Sequence, residues 1–248
     1  MYKNVLHTPF FEGIEVSDDF YVLSRFTEVS LSKDHVLFHQ TDLANEMFIV
    51  KTGTLQIFRQ EDDRIIVLGH QFPGQPIGEL EAVHHDKRRL ASVSALEPTK
   101  LWKIEIKALE ELIAMYPEIL RRILYIVSDR LSQADRKIEY LAFLDSRVRI
   151  ANLLLDLYAN FGKPNEQGYL IDWKITQQHL ANMVGIGRES ATRALQGLQQ
   201  EGIILLQDRM ITITNIKRLY ALAGGKDTPE ARKWHSYYSY PLEISELL

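Results

Sequence analysis

At 248 residues, with 46% apolar and 25% charged side chains, the chain is too long for one minimal core and too apolar for extended disorder. It has no cysteine, which excludes disulfides, thiolate catalysis and a cysteine-ligated iron–sulfur cluster. The net charge of −4 carries no global mark of a nucleic-acid binder, and no stretch reaches the roughly 18–20 apolar residues of a membrane span, so a cytoplasmic protein with no membrane partner is expected.

From Val36 to Ile106 short β-type runs alternate with turn signals. Met47-Phe48-Ile49-Val50 and Leu55-Gln56-Ile57-Phe58 flank Lys51-Thr52-Gly53-Thr54, a hairpin whose turn falls at Gly53. Arg64–Leu68, Leu90–Ala95 and Thr99–Ile106 are further strands, with Gln71–Pro76 as a loop. Seven or eight such strands predict a β-sandwich or barrel.

From Lys107 to Phe161 the period becomes helical. After Pro117, a residue suited to a helix start, Leu120, Leu124, Val127, Leu131, Ala134, Ile138 and Leu141 recur at alternating spacings of four and three, a heptad seam. Ile119, Ile123 and Ile126 form a second row beside its first half. Two readings stand. The flank packs on the β-domain and the seam on a second copy of the chain, or both rows are buried within one monomer. Asp145-Ser146-Arg147 reads as a break before a helix from Val148 to Phe161, and Gly162–Gly168 as a turn-rich loop.

The next segment predicts a helix-turn-helix. Thr176 suits an N-cap for a helix starting at Gln177, Ala181 is small enough for a close helix crossing, and Gly185 suits a tight turn. A second helix runs from Arg188 to Glu201, with Ala191, Ala194, Leu195 and Leu198 inward, and ends at Gly202. Ile203–Leu206 and Met210–Ile213 then form a hairpin wing around Gln207-Asp208-Arg209. Lys174 to Arg218 is net +3 while the rest of the chain is net −7, so the basic charge is local. A second helix of this kind enters the major groove by its N-terminal part, where Arg188, Glu189, Thr192 and Arg193 would read bases. Thr176, Gln177, Gln178 and Arg209 would hold the phosphate backbone. The segment from Gly224 carries Trp234, Tyr237, Tyr238 and Tyr240 and reads as a short aromatic packing extension.

Three stretches resemble the cyclic AMP receptor protein/FNR family of bacterial transcription regulators, over about residues 36–220. Phe72-Pro73-Gly74, Ile77-Gly78-Glu79-Leu80 and Arg89-Leu90-Ala91 are similar to its cyclic-nucleotide cassette, and Leu141–Asp145 with Arg149-Ile150-Ala151 to its hinge. Val184–Arg193 is similar to its recognition element. The resemblance implies an α+β fold: an N-terminal β-roll (a cyclic-nucleotide-binding-like double-stranded β-helix) over 1–115, a dimerisation helix over 116–144, a winged helix-turn-helix over 145–224 and an extension over 225–248. It implies a non-enzymatic homodimer that binds palindromic double-stranded DNA, with half-sites resembling TGTGA, and RNA polymerase as partner of an activator. Glu189 with Thr192-Arg193 falls between the FNR pattern, which has serine before the arginine, and the cyclic AMP branch, which shares Arg188.

The effector pocket implied by the resemblance comprises Gly78, Glu79, Leu80, Arg88, Arg89, Ala134 and Asp135. Glu79 would meet a ribose hydroxyl and Arg89 a cyclic phosphate. Leu90 stands where the cyclic AMP receptor protein has a hydroxyl residue, and Ala134-Asp135 where it has a Thr-Ser pair for adenine. Tight cyclic AMP binding is therefore not expected, and the effector is left unknown. Adjacent His84 and His85 on a loop are expected to point apart as solvated surface, with no metal bound. Two other classes stand as alternatives: a ligand-gated module acting on a protein, and an enzyme. The chain has no nucleophile motif, no His-Glu-x-x-His and no Gly-x-Gly-x-x-Gly.

Overall fold

A computed structural model describes residues 2–225 and 227–234. Two compact units emerge, one of residues 2–60 and 68–131, the other of 61–67, 132–225 and 227–234. Tyr237, Tyr238 and Tyr240 lie outside the described residues.

In the first unit a 3-10 turn (Val5–His7) precedes a short helix α1 (Asp19–Ser24), capped by the Asp18 carboxylate, which accepts from Tyr21 N at 2.9 Å. Eight strands follow among the described residues: β1 (Thr27–Leu31), β2 (Val36–Phe38), β3 (Glu46–Thr52), β4 (Leu55–Glu61), β5 (Arg64–Gln71), β6 (Pro76–Ile77), β7 (Ser92–Ala95) and β8 (Thr99–Glu105). They form two four-stranded sheets, ordered β1-β8-β3-β6 and β2-β7-β4-β5. The turn falls at Gly53 as expected, but the hairpin is corrected: β3 and β4 belong to different sheets, so Gly53 turns the chain from one sheet to the other. Strand β1 lies before the predicted β zone, and the strand expected from Leu90 begins at Ser92.

Period-two alternation explains the apolar runs. On β3, Phe48 and Val50 face a core with Leu101, Leu55 and Val93, while Met47 and Ile49 face a second core with Trp102 and Ile104. That strand is buried on both faces, so its apolar residues are consecutive. The second core is completed by α3 (Ile106–Met115), through Leu109 and Leu112, and by the start of a long helix, α4 (Glu118–Phe143).

Helix α4 separates its two apolar rows. Ile119, Ile123 and Ile126 are fully buried. Leu124, Leu131 and Ile138 are 57%, 62% and 63% exposed; Leu120, Ala134 and Leu141 are also exposed, and Val127 is half-buried. The reading in which both rows are buried within one monomer is thereby corrected: the flank is covered by its own unit and the seam is not.

In the second unit, α5 (Ser146–Phe161) starts two residues before the predicted Val148, because the Asp145 carboxylate caps it by accepting from Arg147 N and Val148 N, each at 2.9 Å. The predicted loop over Gly162–Gly168 is instead a hairpin, β9 (Gly162–Asn165) and β10 (Gly168–Ile171). Pro164 is tolerated because β9 is an edge strand, and that proline made the segment read as loop. Helices α6 (Gln177–Val184) and α7 (Arg188–Gln200) follow, then β11 (Ile204–Gln207), β12 (Met210–Ile213) and α8 (Ile216–Leu222). The sheet order is β11-β12-β10-β9. The core gathers Ile150, Leu154 and Leu157 of α5 with Leu180 and Ala181 of α6 and Leu195 and Leu198 of α7.

Candidate functional site

The pair α6–α7 is built by a cap, a small residue and a left-handed turn. Thr176 caps α6 by accepting from His179 N at 3.1 Å. Ala181 is fully buried, which lets α7 approach closely. Gly185 closes α6 at φ +66°, a conformation that costs an L side chain about 1–2 kcal/mol. The four inward residues of α7, Ala191, Ala194, Leu195 and Leu198, are all buried.

The opposite face of α7 presents Arg188, Glu189 and Arg193 to solvent at its N-terminal end. Arg193 Nη2 makes a long contact of 3.4 Å to Ser190 Oγ on the same helix. Thr192 is different: its hydroxyl lies 2.7 Å from Gln177 Oε1 and 2.9 Å from the Arg188 carbonyl. That brace draws Thr192, a predicted base reader, and Gln177, a predicted phosphate contact, into holding α7 on α6. Gln178 is exposed and donates to Asn182 Oδ1 at 2.8 Å. Arg209 is exposed at the tip of the β11–β12 wing, where Asp208 and Arg209 both have positive φ, as a type I′ hairpin turn requires. Of the local basic residues, Arg218 is partly spent within the protein, donating to the Glu201 carbonyl at 2.8 Å. Lys174, Arg188, Arg193, Arg209 and Lys217 are exposed.

The predicted effector residues split. Gly78 adopts φ +86° before a five-residue helix, α2 (Glu79–Val83), so the expected Gly-Glu turn is a helix start. The helix was missed because it is a single short turn. Glu79 is fully buried and faces Arg130 of α4 at 2.9 Å. Burial pushes its carboxyl up, opposed first by the Arg130 charge. Arg89 is also buried; burial pulls its guanidinium down, while Glu81, then Glu46, Asp42 and Glu79, support its charge. Arg88 is exposed and donates to the Thr41 carbonyl at 2.9 Å, and Leu80 is half-buried. Ala134 and Asp135 are exposed positions of α4 in the second unit.

The histidine expectation is corrected: the rings of His84 and His85 lie side by side, 4.5 Å between centroids and tilted by 32°. His84 Nδ1 accepts from Asp86 N at 3.2 Å, which turns its ring along the loop. Among the described residues no group of three or more metal-ligating side chains is assembled, and no helix is long and apolar enough to cross a membrane.

Sequence reasoning missed an ionic cluster at the end of the described chain. Arg232, 1% exposed, donates to Asp156 Oδ1 and Asn152 Oδ1 at 2.8 Å each and sits 3.3 Å from Asp227. Trp234 packs edge-on to Phe161 and Trp173, the aromatic packing predicted for the extension.

Two family models match the chain: "Cyclic nucleotide-binding domain" over residues 28–116 and "Crp-like helix-turn-helix domain" over 148–222. The cAMP-activated global transcriptional regulator CRP of Salmonella typhimurium is 31% identical over 179 residues, covering 71% of this chain and 84% of that protein. The cyclic AMP receptor protein of Thermus thermophilus is 27% identical over 222 residues, covering 88% and 98%. Among solved structures, the c-di-GMP responsive global regulator CLP of Xanthomonas campestris is similar with a TM-score of 0.69 at 28% identity, over 78% of this chain and 96% of that one. A CooA mutant from Carboxydothermus hydrogenoformans has a TM-score of 0.74 at 21% identity, over 84% and 92%, a likeness of fold.

Proposed function

From the premise that this chain belongs to the CRP-like family of transcription regulators, with a cyclic-nucleotide-binding-type sensor and a helix-turn-helix for DNA, we propose that it binds palindromic DNA as a homodimer. The observation that carries this is the solvent-facing set Arg188, Glu189 and Arg193 on the first turns of α7, behind a left-handed glycine and beside a wing. Arginine offers two donors to guanine O6 and N7, and glutamate accepts from the cytosine amino group. Thr176, Gln178 and Arg209 anchor phosphates around that helix, and the Thr192–Gln177 brace fixes its position.

The second copy meets the exposed seam of α4. Its heptad spacing is self-complementary, and a helix that pairs with itself presents α7 twice, which suits a palindrome. The working parts are a sensor over 1–115, a dimerisation helix over 116–144, a DNA-binding domain over 145–224 and an extension from 225. The exposed tip of the β9–β10 hairpin, residues 163–167, is the surface offered to RNA polymerase, in a cytoplasmic, non-enzymatic regulator. Two of the relatives are named for cyclic AMP and CLP for c-di-GMP; here Leu90, Ala134 and Asp135 lack the hydroxyls that cyclic AMP would need, so a tight cyclic AMP response is not expected.

Genome-wide footprinting with purified protein tests the reading. Protected sites should be palindromic and carry one recurring half-site. Protection that follows no sequence, or none at all, would overturn it.

A further inference from the structure

Helix α5 carries a polar stripe among its apolar residues. Asn152, Asp156 and Asn160 follow at spacings of four, so they share one face over about 12 Å of helix. The segment after α8 occupies that face. Asn152 Nδ2 donates to the Ala223 carbonyl at 3.3 Å. Arg232, buried, donates through Nη2 to Asn152 Oδ1 and through Nη1 to Asp156 Oδ1, each at 2.8 Å. Asn160 closes the ladder, donating to the Arg232 carbonyl at 3.1 Å and accepting from Trp234 N at 2.8 Å. The same segment also reaches the end of α4. Asp227 Oδ2 lies 3.3 Å from Arg232 Nη2 and accepts from the Tyr140 hydroxyl at 3.3 Å. The described residues after α8 thus form a strap across the α4–α5 junction. At its root, Arg149 of α5 donates to the Leu141 and Leu144 carbonyls at 2.9 Å each.

Helices α5 and α7 share one core, to which Leu154, Leu157, Leu195 and Leu198 contribute. Whatever fixes α5 against the end of α4 therefore fixes where α7 stands relative to that end. In a dimer, the separation of the two recognition helices sets the spacing between half-sites. Among the described residues the strap bonds to α4 and α5, and to none of Arg188, Glu189 and Arg193. We propose that Tyr140, Asp227 and Arg232 are positioning residues for DNA binding: they tie the segment after α8 across the α4–α5 junction and so set the half-site spacing that the dimer accepts, without reading a base. The inference rests on the reading of the chain as a dimer on palindromic DNA.

The test is the double variant Tyr140→Phe/Asp227→Ala in the full chain, which releases the strap from α4 and leaves Arg232 on Asn152 and Asp156. In a binding-site selection with spacers of random length, the wild type should favour one half-site spacing. The variant's preference for that spacing over longer or shorter ones should fall roughly 5-fold, about the factor that one net hydrogen bond carries, with the half-site sequence unchanged. Without DNA, amide hydrogen exchange at residues 141–149 should be faster in the variant. Should the double variant fail to fold by circular dichroism, Tyr140→Phe alone, which removes one hydroxyl, should move both readings in the same direction. A wild type that selects no palindrome would overturn the DNA-binding reading, while faster exchange would still support the strap. A wild type indifferent to spacing would overturn the proposal. So would a folded variant with unchanged exchange, with an unchanged spacing preference, or with an altered half-site sequence.

Discussion

Replacing Arg232 by methionine should be among the most damaging single changes in the DNA-binding half of the chain. The guanidinium is 1% exposed and makes two 2.8 Å bonds, to Asp156 Oδ1 and Asn152 Oδ1, with Asp227 at 3.3 Å. Methionine keeps much of the volume and removes the charge, so the largely enclosed Asp156, 15% exposed, loses its principal cation. Breaking one side of such a pair costs about 3–5 kcal/mol, a large part of the roughly 5–15 kcal/mol that holds a domain folded. The loss should depend on pH with a definite sign. Burial raises Asp156 from 3.8 to about 6, with Arg232 opposing the rise. A carboxyl raised on folding binds its proton more tightly in the native state, so its contribution is full below about pH 4 and is lost as pH climbs through about 6. Without Arg232 the carboxyl rises further, and the decline should extend above that value. Urea unfolding followed by tryptophan fluorescence reads this, since Trp173 and Trp234 flank Phe161 in the same unit. The wild-type-to-variant gap should be smaller near pH 5 than near pH 8, and Asp156→Asn should rescue part of it. A gap below about 1 kcal/mol, or one independent of both pH and Asp156, would refute the reasoning.

Arg193→Ala should cost about 1–3 kcal/mol of DNA affinity and relax one base position per half-site in a binding-site selection; a uniform loss on all sequences would instead mark a phosphate contact. Leu124→Glu with Ile138→Glu should convert dimer to monomer in analytical ultracentrifugation without unfolding the chain, because both side chains are exposed and the buried flank is untouched. If the mass does not change, the seam is not the interface. Gly185→Ala should lower stability by about 1–2 kcal/mol, since φ there is +66° and the new Cβ would sit 3.4 Å from Leu141 Cδ2; an unchanged urea midpoint would remove that account of the turn.

Periodicity made the elements legible wherever one face is buried. The inward set of α7 follows the helical repeat that burial of one face imposes, and β3 reads as a strand from its short consecutive apolar run, because both of its faces are buried. The two rows of α4 were equally visible; the structure added which row is covered. What periodicity does not encode was missed. Strand β9 hides behind Gly162 and Pro164, and α2 is too short to show a repeat. Glu46 is distant in sequence from Arg89, and Asn152 and Asp156 are distant from Arg232. A lone polar residue gives no pattern from which its partner can be read.

That gap matters most for arginine, the residue on which both candidate sites turn. Arg89 and Arg193 each stand at a position similar to a functional arginine of the family, and residue identity assigns both to anion or base recognition. Their surroundings separate them. Arg193 is exposed and makes only a long contact to Ser190, so its donors can be turned to a base edge at little cost. Arg89 is buried against Phe38 with the Glu46 and Glu81 carboxylates at 3.6 and 3.8 Å, and its Nε and Nη1 have no hydrogen-bond partner among the described residues. A guanidinium cannot lose its proton, so its availability is decided wholly by what already surrounds it. By that criterion the donors of Arg193 stand at the surface, while those of Arg89 are buried and only partly met by the protein.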